Sequence, residues 1–118
     1  MSDCIFCMIA NGDIPARIVL DEDGILAFDD IAPQGPVHTL IIPKHHYAHM
    51  GDDVPAEVME ALFSAAPRIA QMKGVAESGY RVIVNNGRDA AQTVGHLHVH
   101  VIGGKPMAHG MVRFESAE

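Results

Sequence analysis

The sequence has no apolar run approaching the ~20 residues that a bilayer-spanning helix needs, so no membrane partner is expected. It has no low-complexity tract, and charged residues make up only 19%, which excludes a disordered tail protein. The first residues, Met1-Ser2-Asp3-Cys4, have neither the basic nor the apolar region of a secretory signal. The expected address is the cytoplasm. Basic residues are scarce and scattered: 8 Lys and Arg stand against 15 Asp and Glu, a formal net charge of −7. That excludes a nucleic-acid backbone as partner, because such binding draws on counterions released at basic patches. An anionic small ligand is still open, provided that backbone N–H groups, polar side chains and histidines hold it locally. There are two cysteines, Cys4 and Cys7. A cytosolic chain does not support a disulfide framework on them. Their spacing leaves metal binding, redox chemistry or nothing.

What is there fits one domain. The chain has 118 residues, 48% of them apolar, and shows neither repeat nor linker. The domain is expected over 4–107, with a C-terminal tail over 108–118. A chain this small buries only about two-thirds of its unfolded surface, so pairing with a second copy would help it. Cys4 to Ala10 reads as a short helix stopped by Asn11-Gly12. Arg17–Leu20 and Ile25–Phe28 flank Asp21-Glu22-Asp23-Gly24, a hairpin signal. A third strand runs from Val37 to Ile42 and is halted by Pro43. Then the period changes to 3.6: Val58, Leu62, Ala65, Ile69 and Met72 form one helical stripe. This long helix is expected from about Val54 to Lys73, capped by Asp52 or Asp53, kinked at Pro67 and ended at Gly74. Met59, Phe63 and Ala66 widen its apolar surface. Tyr80–Val84 and His96–Ile102 read as further strands, joined by the polar loop Asn85–Gly95. The fold class is α+β, with a roughly five-stranded antiparallel sheet, a short N-terminal helix and one long central helix.

Eight histidines are unusual in 118 residues, and three fall in Gly95-His96-Leu97-His98-Val99-His100-Val101-Ile102. Side chains alternate along a strand. Leu97, Val99 and Val101 then face the core, and His96, His98 and His100 share the other face. At ~3.3 Å per residue the outer two lie ~13 Å apart, too far for one zinc with ~2.0–2.1 Å bonds to nitrogen. The row must divide its duties.

His-apolar-His-apolar-His with two further apolar residues resembles the signature of the histidine triad superfamily of nucleotide hydrolases and transferases. The resemblance extends to Leu26–Ile31, to Val37-His38-Thr39-Leu40-Ile41-Ile42-Pro43-Lys44, to Asn85, to Gln92-Thr93 and to Gly103-Gly104. It is nearest to the histidine triad nucleotide-binding branch, dimeric purine nucleoside phosphoramidases. It implies that His98 is the nucleophile and forms a covalent nucleotidyl-imidazole, since neutral imidazole attacks without prior deprotonation. It implies that His100 meets the phosphate oxygens, that His38 orients the triad and that His96 completes it. Asn85, Gln92 and Thr93 are expected to offer uncharged donors to the phosphate. Relatives often carry Gly-Gly where Ala90-Ala91 stands, and alanine disfavours positive φ. Asp30 is expected to accept the ribose hydroxyls, with Asp29 turned away. Ile5, Phe6, Ile9, Phe28 and Ile31 are the wall available to a purine base. A dinucleoside polyphosphate hydrolase and a regulatory nucleotide-binding module with little turnover are the alternatives.

Cys4 and Cys7 lie three apart, so on a helix both thiols share a face. Some triad relatives complete a structural zinc site with the first triad histidine and a histidine after the Pro-Lys of the central strand. Here these are His96 and His46, with His45 and His49 as neighbours that could replace His46. Two buried hydrophobes or a redox pair are the other readings of the cysteines. The resemblance also implies a homodimer whose sheets continue across the interface, with Lys105 to Phe114 near the partner's site.

Overall fold

Four consecutive apolar residues, Ile25 to Phe28, cannot all face one core if they form a strand. Both faces of that strand must be covered. In a computed structural model, which describes residues 4–108, this is how the domain is built. The tail over 109–118 and most of the Lys105–Phe114 segment lie outside the described residues.

The elements follow the chain as α1 (Ile5–Ala10), β1 (Ile18–Glu22), β2 (Ile25–Asp29), β3 (Val37–Pro43), α2 (Ala56–Met72), β4 (Tyr80–Val84) and β5 (Val99–Gly103). The strands form one sheet in the order β1-β2-β3-β5-β4, antiparallel at every pairing. Gly24, at φ +88°, turns β1 into β2. On one face Ile25, Ala27, Ile41, Val99 and Val101 pack against Leu62, Ala65, Ala66 and Ile69 of α2. On the other, Leu26, Phe28, Leu40 and Ile42 pack against Phe6 of α1. Burying each large aliphatic side chain contributes about 1.5–3 kcal/mol. Among the described residues no helix is long and apolar enough to cross a membrane.

Several expectations need correction. The last strand starts at Val99, not His96. Ladder pairing with β3 stops at Ile41↔Val99, and the Leu97 N–H turns instead to the Tyr47 carbonyl at 2.7 Å. His96 and His98 therefore sit on irregular backbone ahead of the strand, and both are buried. The long helix starts at Ala56 with Pro55 as its cap residue and no side-chain cap. Asp52 accepts the Ala48 N–H instead, and Asp53 adopts φ +50°. Met72, expected in the buried stripe, is 57% exposed, while Ala66 is buried. The helix contains Pro67, as expected, on its exposed side. It ends as expected at Gly74, φ +76°, where the N–H groups of Gly74 and Val75 return to Gln71 and Ala70 in a Schellman arrangement.

Candidate active site and metal cluster

Alternation along β5 sends Val99 and Val101 into the α2 core and leaves His98 and His100 on the α1 side. Their ring centroids are 4.9 Å apart. The Phe6 ring stands edge-on to His98 at 5.1 Å. His38 on β3 is the diagonal neighbour of His100, because His100 pairs with Leu40; their rings are 5.1 Å apart.

Backbone groups determine where the protons are. His98 Nδ1 lies 2.7 Å from the His96 carbonyl. A carbonyl only accepts, so Nδ1 carries the proton and the Nε2 lone pair of the neutral ring is available. The Gln34 N–H donates to His38 Nδ1 at 2.9 Å, which puts the His38 proton on Nε2. That N–H donates to His100 Nδ1 at 2.9 Å. His100 must then carry its proton on Nε2, a buried atom with no hydrogen-bond partner among the described residues. Leaving a buried donor unsatisfied costs about 1–3 kcal/mol, and an anionic oxygen placed there would recover it. Burial, followed by the neighbouring His98 and His38, pushes His100 down to about 4, against an opposing pull from Asp30. Burial also lowers His38, again opposed by Asp30. Both rings are neutral at pH 7, as the relay requires.

Asp30 follows β2. One of its oxygens accepts the Ala32 N–H at 2.9 Å, and the other lies 3.4 Å from His38 Nε2. The Asp29 carboxylate accepts the Thr39 hydroxyl at 3.0 Å and pairs with Lys73 at 2.9 Å, but the residue does not leave the site, since it borders the same cavity as Asp30.

His98 and His100 line two adjoining cavities. One, about 280 Å³, is walled by Ile5, Phe6, Ile9, Phe28, Leu40 and Ile31, with Asp30 and Thr93 beside them. Ile31 is 97% exposed and so forms the rim of that wall. The other, about 520 Å³, adds Asn85, Ala91, Gln34 and His38 to the same histidines, Asp30 and Thr93. An apolar pocket meeting a polar one at two imidazoles suits a ligand with an aromatic base at one end and a charged group at the other. Gln92 lines neither cavity. Its Oε1 accepts the Gly87 N–H, and its Nε2 donates to the carbonyls of Ala48 and Val94, so it braces the loop. Ala91 holds φ +60°, in the left-handed region that an L side chain disfavours.

Sequence reasoning did not name two groups: the Gln34 N–H that decides the His38 tautomer, and the particular backbone carbonyl, here that of His96, that decides the tautomer of His98. Both are backbone atoms, and residue identity carries no signal for them beyond the turn-prone run Ala32–Pro36.

The cysteines meet two histidines. Cys4 Sγ lies 3.3 Å from His96 Nδ1. Cys7 Sγ lies 3.2 Å from His46 Nδ1 and 3.5 Å from His96 Nδ1. All four atoms fall within 4.8 Å of one another. Bonds of ~2.3 Å to sulfur and ~2.0–2.1 Å to nitrogen place tetrahedral ligands roughly 3.3–3.8 Å apart, so the donor set fits zinc. The His96 Nε2–H donates to the Pro43 carbonyl at 2.8 Å, which leaves Nδ1 as the ligating atom. His45 packs against Tyr47, and His49 Nδ1 accepts the Gly51 N–H. His46 is the histidine that joins the cluster.

The HIT domain family model matches residues 11–107. The purine nucleoside phosphoramidase of Escherichia coli strain K12 is 43% identical over 108 residues, covering 89% of this chain and 90% of that protein. A 14 kDa zinc-binding protein of Brassica juncea is 39% identical over 109 residues, covering 89% of this chain and 96% of that one. Among solved structures, a HIT family hydrolase from Clostridium thermocellum matches with a TM-score of 0.89 at 38% identity, over 95% of this chain and 99% of that chain.

Proposed function

The chain belongs to the HIT domain family, and on that basis we propose that it hydrolyses purine nucleoside 5′-phosphoramidates or related nucleotides at the α-phosphate through a covalent nucleotidyl-His98. One observation carries this reading: the 2.7 Å bond from His98 Nδ1 to the His96 carbonyl leaves Nε2 as a neutral nucleophile between the two cavities. The base lies against Phe6 and Phe28, the ribose hydroxyls meet Asp30, and the phosphate faces His100 with Asn85 and Thr93. Gln92 serves by holding the loop.

His98 Nε2 attacks phosphorus as the bond from phosphorus to the leaving nitrogen breaks. The His100 Nε2–H donates to the charge building on the phosphate oxygens. His38 holds His100 in the tautomer that can do so. Water then attacks the intermediate and the Nε2–P bond breaks. The leaving nitrogen takes a proton from the histidine cluster as it departs, and the water of the second step returns that proton to the cluster as its hydroxyl joins phosphorus, so no other reactant is consumed. Zinc, when bound by Cys4, Cys7, His46 and His96, supplies a tetrahedral cross-link between α1 and the residues around His46 and His96.

This reading includes a homodimer. It is supported by the open edge of β4 and by the exposure of Phe63 and Val82, 37% and 38%. The deciding assay is a turnover panel of adenosine and guanosine 5′-phosphoramidates beside dinucleoside polyphosphates. Phosphoramidates should be the better substrates by at least about tenfold in kcat/KM; the reverse order would overturn the leaving-group assignment.

A further inference from the structure

We propose that the Cys4–Cys7–His46–His96 cluster, loaded with zinc, positions the nucleophile by fixing the carbonyl that holds His98 in its reactive tautomer. The inference rests on the reading of His98 as nucleophile and adds a catalytic duty to a site expected to be structural.

Residues 96–98 lie outside the ladder, which begins at Val99. Sheet hydrogen bonds therefore do not hold the His96 carbonyl in place. This stretch is held by Leu97, whose N–H bonds to the Tyr47 carbonyl and whose side chain is buried in the α2-side core, and by the His96 ring. That ring is gripped on two sides, by the thiols of Cys4 and Cys7 at Nδ1 and by the Pro43 carbonyl at Nε2. The same residue's carbonyl accepts the His98 Nδ1–H. One residue thus joins the metal cluster to the nucleophile's proton. A second path runs through α1: Phe6 stands between the two cysteines in sequence, and its ring packs edge-on to both His96, at 5.9 Å, and His98, at 5.1 Å. Releasing the His96 ring lets its carbonyl move. The His98 proton can then shift to Nε2, and the lone pair that attacks phosphorus is lost. Partners that orient a reacting or ligating imidazole typically account for 10–100-fold in activity or affinity.

The test uses ¹⁵N-labelled full-length protein in three states: zinc-loaded, stripped with a chelator, and reloaded. His46→Ala, which removes an exposed ligand, is a fourth sample. Imidazole nitrogen shifts of His98 at neutral pH report its tautomer, and kcat and KM are measured on the same samples. Stripping and His46→Ala should each turn a single Nδ1–H tautomer into a mixture and lower kcat by about tenfold. KM should change by less than about threefold, and zinc should restore the stripped sample. A folded stripped protein that keeps the single tautomer, or keeps kcat within about twofold, would overturn the proposal. So would failure of the wild type to take up zinc, or unfolding of both metal-free samples, which would make the metal a staple only. If no form turns over any substrate, the enzymatic reading fails, while the tautomer signal still decides whether the cluster controls His98.

Discussion

In the proposed mechanism, reactivity at His98 depends on a proton held by a neighbour's backbone. Asn keeps a polar side chain of similar reach but offers no imidazole lone pair. His98→Asn should therefore lower turnover more than about a thousandfold, while the dissociation constant for a nucleoside monophosphate stays within about tenfold, or 1.4 kcal/mol; single-turnover kinetics and calorimetry check the two halves. His100 gives a pH prediction. Its folded value of about 4 lies below the ordinary 6.5, so the unfolded chain takes up its proton first. Stability must then fall as pH drops from about 6.5 to about 4. The lowered His38 acts in the same direction. The urea midpoint of the wild type should lose more over that window than that of His100→Gln; an equal loss would remove the neutral relay. The three histidines and Asp30 are legible in the sequence because their chemistry lies in side chains. The groups that fix their tautomers are not, since the Gln34 N–H that donates and the His96 carbonyl that accepts are main-chain atoms.

Helix and strand placement followed apolar period wherever packing decides it. β4 and β2 lie where their β-rich runs put them, but β1 runs on through Asp21 and Glu22, which read as part of the turn; α2 buries Leu62, Ala65 and Ile69 of the 3.6-period stripe, leaves Val58 partly buried and exposes Met72. The misread boundary at His96 has a physical origin: the His-apolar pattern continues past the point where the ladder stops. Period alone cannot see that Leu97 bonds to Tyr47. Leu62, fully buried between α2 and the sheet, should cost about 2–5 kcal/mol when replaced by Ala, measured by chemical denaturation. The loop between β4 and β5 offers an opposite test. Ala91 holds a left-handed backbone that costs an L residue roughly 1–2 kcal/mol, while glycine costs about 0.5–1 kcal/mol in unfolded-chain entropy. Ala91→Gly should therefore stabilise the fold by about 0.5 kcal/mol; a destabilisation would contradict the φ at that position.

A 12.7 kDa chain with an open β4 edge and Phe63 exposed on α2 should assemble in pairs. Light scattering at micromolar concentration should give about twice the monomer mass, and a monomer at 50 micromolar (about fifty times a micromolar dissociation constant) would end that part of the account. Covalent catalysis at His98 is read by intact mass. The protein is mixed with adenosine 5′-phosphoramidate, quenched within one turnover, weighed and mapped by peptide. A transient gain of one adenylyl group is expected, carried on His98 and absent from His98→Asn. Turnover with no adduct, or with the adduct on another residue, would contradict it.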